Sequence, residues 1–196
     1  MPNEKRPKPR LTPPAEDRLS DPQKALRDAI ASGPRGRFHM SGPFGIWMAA
    51  PELGLLAQQL GGHVRFKTSL PPRLSEFAIL CTARFWRAQY EWQAHAPMAE
   101  KAGVNPSAIK AIQAGRRPDG APADELAIYD FVKQLYRDRR VNDRIYNRVH
   151  KAVGDAGMVE LVSTLGYYAM ISMLLNAFRA ATAPDKPLPF REPAAG

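Results

Sequence analysis

In the stretch Tyr90-Glu91-Trp92-Gln93-Ala94-His95, a carboxylate and an imidazole stand four residues apart. On a helix this spacing puts Glu91 and His95 on one face. A carboxylate beside an imidazole fixes its tautomer and raises its basicity, which suits moving a proton to or from carbon or oxygen near neutral pH. The same spacing also describes an ordinary core or surface pair, so the surrounding elements must decide. Other chemistry is thinner. Cys81 is the single cysteine, so an intrachain disulfide and a thiol cluster for zinc or iron-sulfur are ruled out. It falls on the apolar face of Leu74, Phe77, Ala78, Cys81 and Phe85, where a thiol is a small inert hydrophobe. His39 and His63 sit in glycine-containing connections, and His150 follows a basic helix. No His-Glu-x-x-His spacing occurs, so no metal site is expected.

The elements that would position Glu91 and His95 are helices, because clear strand alternation is almost absent from position 21 onward. Asp21-Pro22 predicts an N-cap and first turn, with Leu26, Ala29 and Ile30 as the apolar stripe and Ser32-Gly33-Pro34 as the stop. Residues 33–50, rich in glycine and aromatics, predict an ordered loop. Pro51 opens a helix expected to end at Gly61-Gly62, followed by a polar connection to Pro71-Pro72. Residues 73–95 predict helix, and Pro97 predicts a kink or end. Asn105-Pro106 predicts a short helix to Ala114-Gly115. Asp124–Arg140 carries acids at its start and arginines at its end, which suits the helix dipole. Asn142-Asp143 opens a helix to Gly154, and a long apolar helix follows over Met158–Ala181.

The chain has 196 residues, 44% of them hydrophobic and 24% charged, the composition of one globular domain. We expect a disordered, basic and proline-rich tail over 1–20, a single helical domain over 21–183 and a proline-rich extension over 184–196, an arm over a neighbour. The formal charge of +9 raises nucleic acid or anionic membrane as partners. The densest cluster, Arg137 to Lys151, is interleaved with Asp138 and Asp143 and reads as a solvated helix face, so neither partner is expected. The stretch Met158–Phe178 is long enough to be tested as a membrane span, but Glu160, Ser163, Thr164, Ser172 and Asn176 interrupt it, and it reads as a buried helix. With one cysteine and no apolar leader at its start, the chain is expected in the cytoplasm.

Residues 73–103, RLSEFAILCTARFWRAQYEWQAHAPMAEKAG, resemble the signature region of carboxymuconolactone decarboxylases and the related alkylhydroperoxidase D-like proteins. The resemblance extends in outline from Ser41-Gly42-Pro43-Phe44 to Leu174-Leu175-Asn176. It implies an all-α, alkylhydroperoxidase D-like fold between irregular proline-rich tails. In the peroxidase branch a Cys-x-x-Cys pair lies seven and four residues before the signature histidine; here those positions are Ala88 and Glu91, so dithiol chemistry should be lost. The decarboxylase branch is the closer match, with Glu91 and His95 in place. What it implies is a cofactor-independent lyase or proton-transfer enzyme acting on a small lactone or aromatic-derived carboxylic acid, in a homo-oligomer, trimer or hexamer. His95 would be the acid/base, Glu91 its orienter and Glu76 a relay. Arg84 and Arg87, with Arg73 and Arg65 behind them, are the candidates for the substrate carboxylate; Tyr90, Trp86, Trp92 and Phe44 are candidates for the pocket wall. A peroxide-linked antioxidant protein and a non-catalytic oligomeric binding protein are the alternatives. Glu76 sets a condition: in one straight helix it would lie about 28 Å from His95. A break must therefore fall between Ala83 and Glu91, where there is neither glycine nor proline.

Overall fold

Helix α4 (Pro72–Trp86) is the element around which the others assemble, packing against α5 (Gln89–Lys101), α6 (Pro106–Gln113), α7 (Ala123–Asp138) and α8 (Asp143–Phe178). Its sequence explains this. Leu74, Phe77, Ala78, Ile79, Leu80 and Ala83 are at most 2% exposed, so the helix is apolar nearly all round, as a helix enclosed by others must be. Burying Phe77 alone stabilises by roughly 2–3 kcal/mol. In this computed structural model, which describes residues 6–191, all regular structure is helical, with no strand among the described residues. Around the other face of α8 lie α1 (Asp21–Ser32), α2 (Gly42–Trp47) and α3 (Pro51–Phe66). Leu26, Ile30, Trp47, Met48 and Val64 close a second apolar cluster there with Tyr168, Ile171 and Leu175.

Several boundaries differ from the sequence reading, each for a local reason. The cap of α1 is Ser20, which pairs reciprocally with Gln23, so Asp21 is already helical. The expected loop over 33–50 contains α2, opened by Gly42-Pro43. Gly61-Gly62 does not stop α3, which runs on to Phe66. A Cβ on Gly61 would lie 2.0 Å from the Tyr167 hydroxyl and 3.0 Å from Arg35 Nη2, so this glycine serves a close approach. Pro97 lies inside α5. It is exposed, and its missing N–H leaves one carbonyl a turn earlier without its helical partner.

The break between α4 and α5 is made by an arginine. Arg87 adopts the left-handed region (φ 51°, ψ 37°). Its N–H donates to the Arg84 carbonyl, and the N–H of Ala88 donates to the Ala83 carbonyl at 2.9 Å, the paired bonds of a Schellman ending. Arg139 and Arg179 end α7 and α8 with the same backbone sign. α8 is broken within its span at Gly154 (φ 67°, ψ −175°), where the sequence predicts one helix to end. By length and composition α8 could cross a membrane, but half of its apolar window is buried within the fold. Its polar residues are used there: Glu160 accepts from Ser69 N and Oγ, and Asn176 Nδ2 donates to the Trp86 carbonyl.

A partly buried ionic group ties α4 to α7. Arg73 donates to Asp124 at 2.6 Å and to Glu125, and Glu125 is fully buried. Where a disordered tail is expected, residues 6–20 run along the end of α8: Arg10 N donates to the Phe178 carbonyl and Arg6 Nη1 to Thr182 and Ala183. The extension expected over a neighbour instead lies on its own chain through residue 191. The Gln89 side chain pairs with both N and O of Phe190, Gln93 pairs with Ala183 N and the Pro187 carbonyl, and Phe190 packs edge-on to Trp92 at 5.2 Å. Residues 1–5 and 192–196 of the two expected tails lie outside the described residues.

Candidate active site

His95 projects from the second turn of α5 and is 4% exposed, between two glutamates. Its Nδ1 lies 2.7 Å from Glu76 Oε2, and its Nε2 lies 3.2 Å from Glu91 Oε1. The Arg87 turn folds α5 back on α4, which satisfies the condition that sequence spacing set for Glu76. The roles of the two glutamates also separate. Glu76 sits behind the ring on α4, while Glu91 and His95 face a cavity of ≈ 140 Å³. Glu76, rather than Glu91, holds the ring from its inner nitrogen.

Burial pushes the imidazolium toward losing its proton, but hydrogen bonds from Glu76 and then Glu91 outweigh this, and the His95 pKa is raised to about 9. The charged form of the ring, with each nitrogen directed at a carboxylate, is thereby favoured. The ring packs edge-on to Tyr168 at 5.0 Å. Burial raises the Tyr168 hydroxyl well above its ordinary range, and burial likewise raises Tyr167 to about 12. Both phenols are neutral hydrogen-bonding groups in the cavity wall.

The wall also includes Phe44, Tyr90 and Arg65, all named from the sequence. Tyr90 approaches the α2 entry, its hydroxyl 3.3 Å from Ser41 Oγ. Gly42 permits this: a Cβ there would lie 2.5 Å from the Tyr90 ring, and its φ of 58° also favours glycine. The other expected residues are elsewhere. Arg84 stacks over Phe190 at 5.4 Å, and Arg87 donates to the Arg191 carbonyl. Trp86 packs edge-on to Phe85, and Trp92 faces Phe190. Arg84 and Arg87 belong to the end of α4 and its turn, and Trp92 to the opposite face of α5, so their side chains point away from His95. Cys81 is buried, and desolvation pushes its thiol far up, which removes the thiolate that redox chemistry needs.

Arg35 was missed. It stands in the loop after α1, in Gly33-Pro34-Arg35-Gly36, and nothing in its neighbours' identities points to a pocket. Only the close approach at Gly61 carries a trace of it. Among the described residues no group of three His, Cys, Asp or Glu side chains is arranged to hold a metal ion.

Residues 51–134 match the model of the carboxymuconolactone decarboxylase family, a span that contains Glu76, Glu91 and His95. No curated protein matches the chain. Among solved structures, an uncharacterized peroxidase-related protein from Silicibacter sp. TM1040 is similar, with 14% identity over 93% of this chain and 97% of that one, and a TM-score of 0.70. At that identity the likeness speaks for the fold, which is the all-α, alkylhydroperoxidase D-like one.

Proposed function

From the match of residues 51–134 to the carboxymuconolactone decarboxylase family, we propose that this chain is a cofactor-independent lyase or proton-transfer enzyme acting on a small organic acid, with the Glu91–His95 pair as acid/base. The observation that carries this reading is an imidazole held between two carboxylates, one behind it and one at a cavity. Glu76 fixes the ring through Nδ1. The proton shared between Nε2 and Glu91 is the one available to a ligand.

For a lyase the step balances as follows. The bond from carbon to the leaving carboxylate breaks, its electron pair enters the conjugated system, and carbon dioxide departs. The proton held by the Glu91–His95 pair forms the new C–H bond, and solvent returns a proton to the pair. Negative charge developing on the intermediate is stabilised by fixed donors aimed into the cavity, where water is scarce. Thiol peroxidase chemistry finds no support in the buried, protonated Cys81. The homo-oligomer is part of the same proposal, and Leu53, Leu56 and Leu60 on α3 with Val159 and Val162 on α8 remain exposed as apolar surface for a second copy.

The test is a survey of small lactone and unsaturated acids for loss of carbon dioxide or solvent-deuterium incorporation, repeated with His95→Asn. We expect His95→Asn to lower turnover by about 10²–10⁴-fold while the helical spectrum is retained. Full activity in that variant on an acid the wild type consumes would end the proposal.

A further inference from the structure

The cavity's outer end holds two guanidinium groups and no carboxylate of their own. Arg35 lies 5.8 Å and Arg65 4.9 Å from the centre of the Phe66 ring, and Arg35 lies a further 5.3 Å from that of Phe44. Neither arginine forms a salt bridge among the described residues; the hydrogen bond of Arg65 goes to the Met98 sulfur. Arg35 Nε and Nη1 are buried with no hydrogen-bond partner in the protein. Buried guanidinium donors without partners are costly, and two like charges converging on one ring add to the cost. Placement by chance does not describe Arg35 either. It is fixed by Phe44 and Phe66, by the Tyr167 hydroxyl and by the missing side chain at Gly61.

We infer that Arg35 and Arg65 form an anion-binding end of the cavity, which receives the carboxylate of a small, flat, mostly apolar ligand whose other end meets Glu91 and His95. The charge balance supports this. The site counts one imidazolium between two carboxylates and, opposite, two guanidinium groups, so an added monoanion neutralises the whole. Arginine's fork suits a carboxylate through parallel hydrogen bonds. The walls between the two ends are Phe44, Tyr90, Met98, Tyr168 and Ile171, apolar and largely planar. At ≈ 140 Å³ the space is well below the roughly 300–1,000 Å³ of pockets for drug-sized ligands, which limits the occupant to about one ring. Arg35 lies outside the segment matched by the family model, so it is a specificity determinant contributed by the chain around that segment.

This inference rests on the cavity being the ligand site, but not on its chemistry, and its test reads binding alone. Benzoate, its neutral isostere benzamide, and sulfate are titrated into the full chain by calorimetry and by NMR of the His95 ring. Benzoate should bind saturably and perturb His95, with benzamide at least about tenfold weaker, roughly 1.4 kcal/mol. Arg35→Gln and Arg65→Gln should each remove most of that preference, whereas Arg140→Gln, the same charge change on an exposed turn, should leave it intact. Benzoate is a ligand that the protein need not turn over, so its binding is read whether or not any acid is consumed, which separates this inference from the proposed catalysis. Since Arg35→Gln also removes packing, Arg35→Lys serves as the second variant: it keeps the charge, loses the fork, and should weaken benzoate while melting as the wild type does. Equal binding of benzoate and benzamide, no saturable benzoate binding, undiminished binding by both Arg35 variants, or displacement of benzoate by sulfate at equal concentration would each overturn it.

Discussion

One turn apart on α4, Arg73 and Glu76 each enter a group in which one cation lies between two carboxylates. Arg73 holds Asp124 and Glu125 from α7; His95 of α5 lies between Glu76 and Glu91. The charge pattern is the same and the consequences differ. Arginine keeps its proton at any pH a protein meets, and Glu125 is enclosed completely. That group fastens two helices. Histidine can exchange its proton, and its second carboxylate faces a cavity. Chemistry follows from which cation fills the position and from access to a cavity, since carboxylate pairing is common to both.

Removing the fixed cation should produce the largest change. Arg73→Met leaves Glu125 buried without its partner and should cost about 3 kcal/mol of stability by denaturant titration, with the His95 titration unmoved. Next is the pH response of the unaltered protein. His95 is raised from 6.5 to about 9, so its contribution is complete below pH 6.5 and lost as pH rises through about 9. Stability should fall on the order of 2–3 kcal/mol across that window, and His95→Asn should abolish the slope; an unchanged slope in that variant would place the titration elsewhere. The smallest effect should come from Glu76→Gln, which keeps a hydrogen-bonding side chain behind the ring. We expect about 1 kcal/mol of destabilisation and a His95 pKa, read by NMR, displaced toward 6.5. A pKa still near 9 would assign the perturbation to Glu91 alone.

The parts legible in the sequence are those with local causes. Periodicity gave α7 its face, whereas α4 is buried nearly all round and Phe85, read onto its apolar face, is exposed; Asn105 and Asn142 cap α6 and α8 with their side-chain oxygens as expected. Glu91 and His95 share a face for the same local reason. Errors arose where a residue type has two uses. Gly61 read as a stop because glycine commonly ends helices, yet here it admits Tyr167 and Arg35. Pro97 read as a kink or an end, yet α5 runs on through it to Lys101. Arg87 gave no sign of the turn it makes, because arginine rarely takes a left-handed conformation. The arginine at the cavity was out of reach altogether: Arg35, Gly61 and Tyr167 are far apart in sequence, and only packing joins them.

The glutamine clamps on α5 also bear on how the chain matures. Gln89 and Gln93 bracket Glu91 and hold the backbone of residues 183–190, which leave the ribosome after every helix has been made. During synthesis, therefore, the outer face of α5, including Trp92, stays uncovered until those last residues emerge, although its inner face already has α4 to pack against. A nascent chain halted before residue 183 would therefore hold the histidine between its glutamates while the opposite face of α5 still lacks the cover that Gln89 and Gln93 clamp.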